Sequence, residues 1–506
     1  MNSTPASLRP RVPEPVSLAR LIPGAPSVGI TGVTLDSRTV EPGDLYVALP
    51  GASTHGAKFA ATAAQAGAAA MVTDAAGAAL ASGSPLPVVT VADPRSELAR
   101  LAAEVYQRPS ERLTMLGVTG TTGKTSTSFL LAAALAQAGH RVGTIGTVGF
   151  RLGDEVLVSR RTTVTTPEAP DLQALLGYFV EHGADAIAME VSSHALAQGR
   201  TDEVVFDVAG FTNLGRDHLD YHADMEDYFQ AKARLFRNGH ARAAVINIDD
   251  DYGRRLAAEV AHADSMPLVT TGTRADADYR VLAATALPGG RSRLRLATPR
   301  GVHEFDLGLL GDFNQRNAAT AAAMLESIGI DLDTALPGLA RAAIPGRMQL
   351  VDLGADAPHA VVDFAHTPES VAAALAALPR GRRIVVLGCG GDRDQAKRAP
   401  MGAAAADGAQ VVVVTDDNPR SEDPAVIRAA VLQGARQAAQ SSGAEVIDGG
   451  IRSEAIAVAL SQAGPEDWVA VLGKGHETGQ QLADRVVPFD DVTALRDAWA
   501  RIGVHR

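Results

Sequence analysis

Gly120-Thr-Thr-Gly-Lys-Thr-Ser126 (GTTGKTS) lies between the apolar run Leu113–Val118 and the alanine-rich apolar run Phe129–Ala138. The first run has the length and composition of a buried strand, the second those of a helix. A strand, a glycine turn carrying lysine and a helix form the layout that cradles nucleotide phosphates. The glycines let backbone N–H groups approach anionic oxygens, and the helix N-terminus adds partial positive charge. Gly117, Thr119, Gly120, Thr121, Thr122, Gly123, Lys124, Thr125 and Ser126 are the candidate ATP-phosphate residues. Lys124 would reach the terminal phosphates and Thr125 would offer a hydroxyl to Mg2+. The spacing departs from the strict phosphate-loop pattern, because Val118 stands five residues before Gly123. The competing reading is a flexible turn with a surface lysine, which the flanking strand and helix disfavour.

The chain has 506 residues, enough for about three domains. Its 46% hydrophobic and 21% charged content is ordinary for a globular protein. A net charge of −12 argues against a general nucleic-acid binder, which needs a basic face. Cys389 is the one cysteine, so no intrachain disulfide exists and a reducing, cytoplasmic setting is expected. Met1–Arg20 is proline-rich without an apolar core, so no signal peptide is expected, and no run of about 18 apolar residues predicts a membrane span.

The expected fold is three α/β domains. Residues 1–15 read as a disordered arm and 16–110 as a small N-terminal α/β domain, closed by the polar link Gln107–Arg112. Residues 111–344 alternate strands (Leu113–Val118, Ala186–Val191, Val208–Thr212, Ala243–Ile248) with helices, as in a doubly wound sheet. Ser292–Leu310 reads as a small antiparallel piece. Residues 345–506 resume the alternation in a Rossmann-like domain, with strands Ala360–Phe364, Arg383–Leu387, Gln410–Thr415 and Trp468–Leu472.

Chemistry-bearing residues gather at the carboxyl ends of these strands, where such sheets bind ligands. AIAMEVSSHAL puts Glu190, Ser192, Ser193 and His194 at a strand end, and Glu190 reads either as a Mg2+ position or as a capping carboxylate. FTNLGRDHLDYH carries Asp217, His218, Asp220 and His222. Its spacing is not that of a zinc helix and no cysteine ligand is at hand, so one His beside Mg2+ is the modest reading. Lys232 lies on an amphipathic segment, Tyr228–Phe236, where a lysine is ordinarily solvated. GDFNQRN, Gly311–Asn317, opens a helix at Ala318, its amides serving as caps or reading a base. Three later loops, Gly388–Asp394, Asp417–Arg420 and Gly473–Glu477, bring Arg393, Arg420, Lys474, His476 and Glu477 to strand ends. Together they suit a ligand with carboxylate and ammonium groups.

In this order, GTTGKTS, EVSSH, DHLDYH, AKARLF, GDFNQRN, PGRMQ, DFAHTP, GGDRD, DNPR and GKGHE resemble the ATP-dependent Mur ligases of peptidoglycan synthesis over about Leu35 to Val492. DNPR resembles the diaminopimelate-adding members. The resemblance implies that the first domain binds the uridine end of a UDP-sugar substrate through Leu35 and Ser37, and that Thr165, Thr166, Ser192, Gln198 and Arg200 hold the muramoyl-dipeptide. It implies Lys124, Glu190, His218 and Lys232 as the catalytic set. Thr125, Glu190, His218 and Lys232 would serve Mg2+, Lys232 as a carbamate (N6-carboxylysine), which replaces the solvated reading. Asn317, Arg347 and Asp363 would contact ATP. Arg393, Asp417, Asn418, Pro419, Arg420, Gly473 and Glu477 would form the diaminopimelate pocket. Val164 stands where many relatives carry Asn, Phe364 where they often carry Tyr, and Gln349 where they often carry Glu.

The implied reaction is phosphorylation of the D-glutamyl carboxylate of UDP-MurNAc-L-Ala-D-Glu by ATP, then attack by an amine of meso-diaminopimelate. That chemistry serves cell-wall growth, cell shape and division, in a monomer with no nucleic-acid partner and no membrane insertion. Three alternatives stand beside it: a relative that adds L-lysine, a folylpolyglutamate-synthetase-like ligase, and a phosphate-loop regulatory module without ligase activity.

Overall fold

The protein is described by a computed structural model that covers residues 8–12, 14–51, 53–158, 165–219, 221–287 and 291–503. Val164 and Asp220 fall outside these residues. The chain divides into two compact units. One comprises Met1–Val281, Leu296–His303 and Arg316–Gly338, the other Leu282–Arg295, Glu304–Gln315 and Leu339–Arg506.

Three sheets organise the α/β architecture. The first is parallel and runs in sequence order: β1 (Gly32–Thr34), β2 (Asp44–Val47), β3 (Ala70–Thr73) and β4 (Val88–Thr90). Helix α1 (Pro94–Val105) starts where Asp93 accepts a bond from the Arg95 N–H and Pro94 takes the first position, which needs no donor. Its Leu98, Leu101, Ala102 and Val105, at helical spacing, pack into this sheet's core with Leu45 and Val47. The expected link after it is an ordered turn, Pro109–Arg112, with Pro109 and Ser110 buried.

The second sheet holds β5 (Thr114–Thr119), followed by α2 (Lys124–Gln137), β6 (Val142–Gly146), α3 (Ala169–Glu181), β7 (Ala186–Glu190), the short α4 (Ser193–Ala197), β8 (Val208–Phe211), α5 (Met225–Ala233), β9 (Ala244–Asn247) and β10 (Leu268–Gly272). Its parallel core runs β6-β7-β5-β8-β9-β10. The strand order therefore reverses at β5, and the loop after β5 opens at the topological switch point between β7 and β8. β6, β7, β8 and β9 are buried along their whole lengths and β5 at all but Thr114, as a sheet covered on both faces requires, while β10 is buried at Thr271 and Gly272. Strands Ser292–Thr298 and Gly301–Leu307 are neighbours joined by a two-residue turn and so antiparallel, as expected.

Helix α6 (Asp312–Ser327) begins six residues before the expected Ala318. Asn314 and Asn317 are thus in its first turns rather than ahead of it, both buried, and Asn314 Nδ2 donates to the Leu310 carbonyl at 2.7 Å. The third sheet runs β11 (Gln349–Val351), β12 (His359–Asp363), β16 (Trp468–Leu472), β13 (Arg383–Cys389), β14 (Val411–Asp416) and β15 (Glu445–Gly450), with β11 alone antiparallel. The ends of β12, β16, β13 and β14 are consequently adjacent.

The arm expected to be disordered is partly packed. Arg9 Nη1 pairs with both oxygens of buried Asp44 at 2.8 Å, and Leu8 and Val12 lie against two hydrophobic cores. A buried carboxylate gives the arm a fixed partner that its proline-rich composition does not reveal.

Candidate active site

In the first unit the chemistry gathers around the loop after β5. Gly123, at φ +85°, ends the loop, and a Cβ there would lie 2.5 Å from Asn317 Oδ1. Asn213, just beyond β8, fixes the loop's shape. Its side-chain oxygen accepts from the Thr122 N–H and hydroxyl at 3.0 and 3.1 Å, and its carbonyl accepts from the Thr121 N–H at 2.9 Å. The first N–H groups of α2 then face outward, as at any helix start. Lys124 Nζ donates to the carbonyls of Gly120 and Thr121 at 2.8 and 3.0 Å.

Pairing of β7 with β5 sets Glu190 opposite Val118, beneath this loop. The Glu190 carboxylate is 1% exposed and is held by neutral donors: the Thr125 hydroxyl at 2.9 Å, the Thr147 N–H at 2.8 Å and the Thr147 hydroxyl at 3.1 Å. A buried anion held by neutral oxygens and an amide, with hydroxyls beside it, is a hard-oxygen donor set that fits Mg2+.

Lys232, expected on the surface from its helix alone, is 1% exposed. Its Nζ donates to the Gly120 carbonyl at 2.8 Å and lies 4.5 Å from the centre of the Tyr228 ring. Burial, then the charge of Lys124, holds its pKa well below the ordinary lysine value. His218, in a left-handed backbone at φ +53°, sets its ring 6.0 Å from that of Tyr228 and 5.0 Å from that of His194.

The expected dipeptide residues form one network reaching Glu190. Thr165 meets Thr147 at 3.2 Å, and Thr166 donates to the Glu190 carbonyl at 2.9 Å while accepting from the Ser192 N–H at 3.0 Å. Arg200 donates to the Thr166 carbonyl at 2.9 Å and to Gln198 at 2.8 Å, and pairs with Glu168 at 2.9 Å. Leu35 and Ser37 lie outside it, beside β1 of the first sheet. Thr147, Asn213 and Tyr228 were not singled out from sequence. Position after a strand marks Asn213, but its pairing with Thr122 needs the strand order.

In the second unit three loops converge. Lys474 is fully buried and bonds Asn418 Oδ1 at 2.9 Å and Glu477 at 3.0 Å, with Asp417 at 3.5 Å. It thus neutralises carboxylates of these loops. Asn418 Nδ2 donates to Glu477 at 2.7 Å. Arg420, at φ +52°, donates from Nη1 to the Gly391 carbonyl at 2.6 Å and from Nε to Gln481 at 3.1 Å. Arg393 is exposed beside this loop, and Pro419 and Gly473 are buried in it. Asp363 accepts from the N–H groups of Met348 and Ala365 at 2.7 and 2.8 Å, and burial raises its pKa against the pull of Arg347. Arg347 lies over the Phe364 ring, and His476 tilts against the same ring. Cys389 is buried with its pKa raised by burial, an inert thiol.

A phosphate loop at the switch point of a doubly wound sheet, with a buried carboxylate on its threonine, defines a nucleotide-using enzyme. Three models of one family match the chain: the Mur ligase family catalytic domain over residues 29–106, the Mur ligase middle domain over 118–325 and the Mur ligase glutamate ligase domain over 346–475. The chain belongs to the Mur ligase family, and it is an ATP-dependent ligase. It is 48% identical over 479 residues to the UDP-N-acetylmuramoyl-L-alanyl-D-glutamate–2,6-diaminopimelate ligase of Streptomyces coelicolor, covering 93% of each chain. It is 44% identical to the UDP-N-acetylmuramyl-tripeptide synthetase of Leifsonia xyli, covering 98% of each. A solved UDP-N-acetylmuramoyl-L-alanyl-D-glutamate–2,6-diaminopimelate ligase superposes with a TM-score of 0.72 at 32% identity, over 97% of this chain and 99% of that one. A folylpolyglutamate synthase of Mycobacterium tuberculosis, at 19% identity and TM-score 0.58 over 81% and 95%, shares the fold. Among the described residues no helix is long and apolar enough to cross a membrane.

Proposed function

We propose that the protein joins meso-2,6-diaminopimelate to the D-glutamyl carboxylate of UDP-MurNAc-L-Ala-D-Glu, working as a cytoplasmic monomer in peptidoglycan precursor synthesis. The observation that carries the choice of amino acid is Arg420. Its Nη1 and Nε are tied to Gly391 and Gln481, which leaves Nη2 of a fixed guanidinium for a carboxylate. Diaminopimelate has a carboxylate on its second amino-acid head; lysine has none there, so an arginine would lose its partner. Glu477 beside it suits an ammonium.

A carboxylate is a poor acyl donor, and transfer of the γ-phosphoryl group supplies the leaving group. The outward N–H groups of α2 and Lys124 would receive the phosphates, with Lys124 leaving the loop carbonyls it now binds. Asn317, Arg347 and Asp363 are the residues for the adenosine end. Thr125, Glu190, His218 and Lys232 would hold Mg2+, which supplies charge neutralisation on the transferring group. Lys232 suits this as a carbamate: a neutral buried amine adds CO2 and loses one proton, becoming an oxygen-bearing anion. Leu35 and Ser37 would take the uridine end, and Thr165, Thr166, Ser192, Gln198 and Arg200 the dipeptide. The amine of diaminopimelate then attacks the acyl phosphate, and the tetrahedral adduct collapses to the amide and phosphate.

The test is phosphate release from ATP and Mg2+ with UDP-MurNAc-L-Ala-D-Glu, supplied in parallel with meso-diaminopimelate or L-lysine. Release with diaminopimelate alone, together with a UDP-tripeptide, is expected. Release with lysine overturns the reading of Arg420, and hydrolysis without any amino acid overturns the ligase assignment.

A further inference from the structure

Ser193, His222 and Asp227 form a hydrogen-bonded chain, buried at Ser193 and His222 and exposed at Asp227, that the proposed reaction does not use. His222 is 2% exposed and Ser193 1%. Nε2 of His222 lies 2.9 Å from the Ser193 hydroxyl and Nδ1 lies 3.1 Å from Asp227 Oδ2. A carboxylate beside Nδ1 favours a proton on that nitrogen and leaves Nε2 to face the hydroxyl. The chain thus has a nucleophile's arrangement, yet Ser193 is enclosed, and its backbone starts α4 directly after β7.

Each end of the chain is attached to a segment of the proposed phosphoryl-transfer site. Ser193 is three residues past Glu190. Asp227 lies in the first turn of α5, which carries Lys232. The backbone N–H of His222 donates to the His218 carbonyl at 2.9 Å, and that of Tyr221 donates to the same carbonyl at 3.1 Å, holding His218 in its left-handed conformation. The His222 ring also tilts against Tyr228, 5.1 Å away between centres, the ring that flanks Lys232.

We propose that His222 is a positioning residue for the phosphoryl-transfer site, tying together the three segments that carry Glu190, His218 and Lys232. This rests on the proposed function. A residue that locks ligand-bearing segments without touching the ligand changes metal affinity and turnover more than substrate binding.

The probe is Mn2+ binding to the ATP-loaded full-length enzyme, followed by electron paramagnetic resonance, beside steady-state kinetics and thermal melts. His222→Phe keeps the ring volume and loses both bonds. His222→Asn keeps a donor toward Asp227, and His222→Gln keeps an acceptor toward Ser193. Phe is expected to weaken Mn2+ binding and lower kcat by about tenfold or more, with KM for both organic substrates within about twofold. Asn and Gln are expected to lose less. If Phe is the mildest of the three, His222 acts by packing alone and the inference is overturned; unchanged Mn2+ affinity in all three also overturns it. If the Phe variant does not fold, Ser193→Ala and Asp227→Ala each remove one bond, and unchanged Mn2+ affinity in both overturns it. A wild-type enzyme that binds no Mn2+ with ATP overturns the proposed function, and this inference with it.

Discussion

Gly146, at the end of β6, leaves room for the buried carboxylate proposed to serve the nucleotide site: a Cβ there would overlap Glu190 Oε1. Gly146→Ala should push Glu190 away from Thr125, lower kcat at least about tenfold and cost about 1–3 kcal/mol of stability. Turnover and a urea titration read both effects; wild-type turnover in a folded variant would detach this carboxylate from the reaction. Nothing in the sequence marks Gly146, because the side chain it accommodates comes from a strand paired across the sheet. Lys124, Thr125 and Glu190 were legible, since each follows or ends an apolar run whose type is plain. Lys232 was not. Helical spacing says which face a lysine occupies but not what covers that face, and here the cover is the Gly120 carbonyl from far away in sequence.

Elements were legible to within a residue or two where apolar runs were short and bounded, as at Trp468–Leu472. Their order in the sheets was not, because spacing along the chain does not say that β16 inserts between β12 and β13. The polar start of α6 was missed for a related reason: Asn314 and Asn317 look like loop residues until their buried neighbours are known. One contact between elements makes the loops after β13 and β14 sensitive to acid. Glu422 accepts from Arg398 at 2.8 and 2.9 Å and from the Asp392 N–H at 2.6 Å, while Asp392 accepts from Ser421. The Arg398 bond lowers the Glu422 pKa below 4.5, and the Ser421 bonds lower that of Asp392 below 3.8. Between the folded and unfolded values the native state binds fewer protons, so this stabilisation is complete above the ordinary values and lost as pH falls through the folded ones. Glu422→Gln should therefore flatten the acid limb of stability below about pH 5, a difference that urea titrations across that range will show. A wild-type slope in the variant would mean that these bonds do not persist in solution.

Across the first unit, the segment Leu8–Val12 straps two sheets. Arg9 reaches β2 through Asp44, and Pro10 packs on Gly177 of α3, where the Arg11 N–H also bonds Glu181 at 3.1 Å. The pair at its centre is unequal: the Asp44 side chain is 2% exposed and that of Arg9 18%. Burial raises the Asp44 pKa and the Arg9 charge opposes that rise, so removing Arg9 strands the carboxylate among Gly32, Tyr106 and the Glu41 amide. Arg9→Met should then cost about 2–4 kcal/mol, short of the full cost of breaking a buried pair because Asp44 can take up a proton. Arg9→Met with Asp44→Asn should recover part of that loss, because no buried charge remains. If the first sheet receives the uridine end of the substrate, the strap also sets where that end is held relative to the Thr165–Arg200 network. The single variant should then raise KM for the UDP-dipeptide while leaving KM for diaminopimelate unchanged. Equal stability of wild type and Arg9→Met in urea would show that the strap is not closed in solution. A stability loss with both KM values unchanged would confine its role to folding.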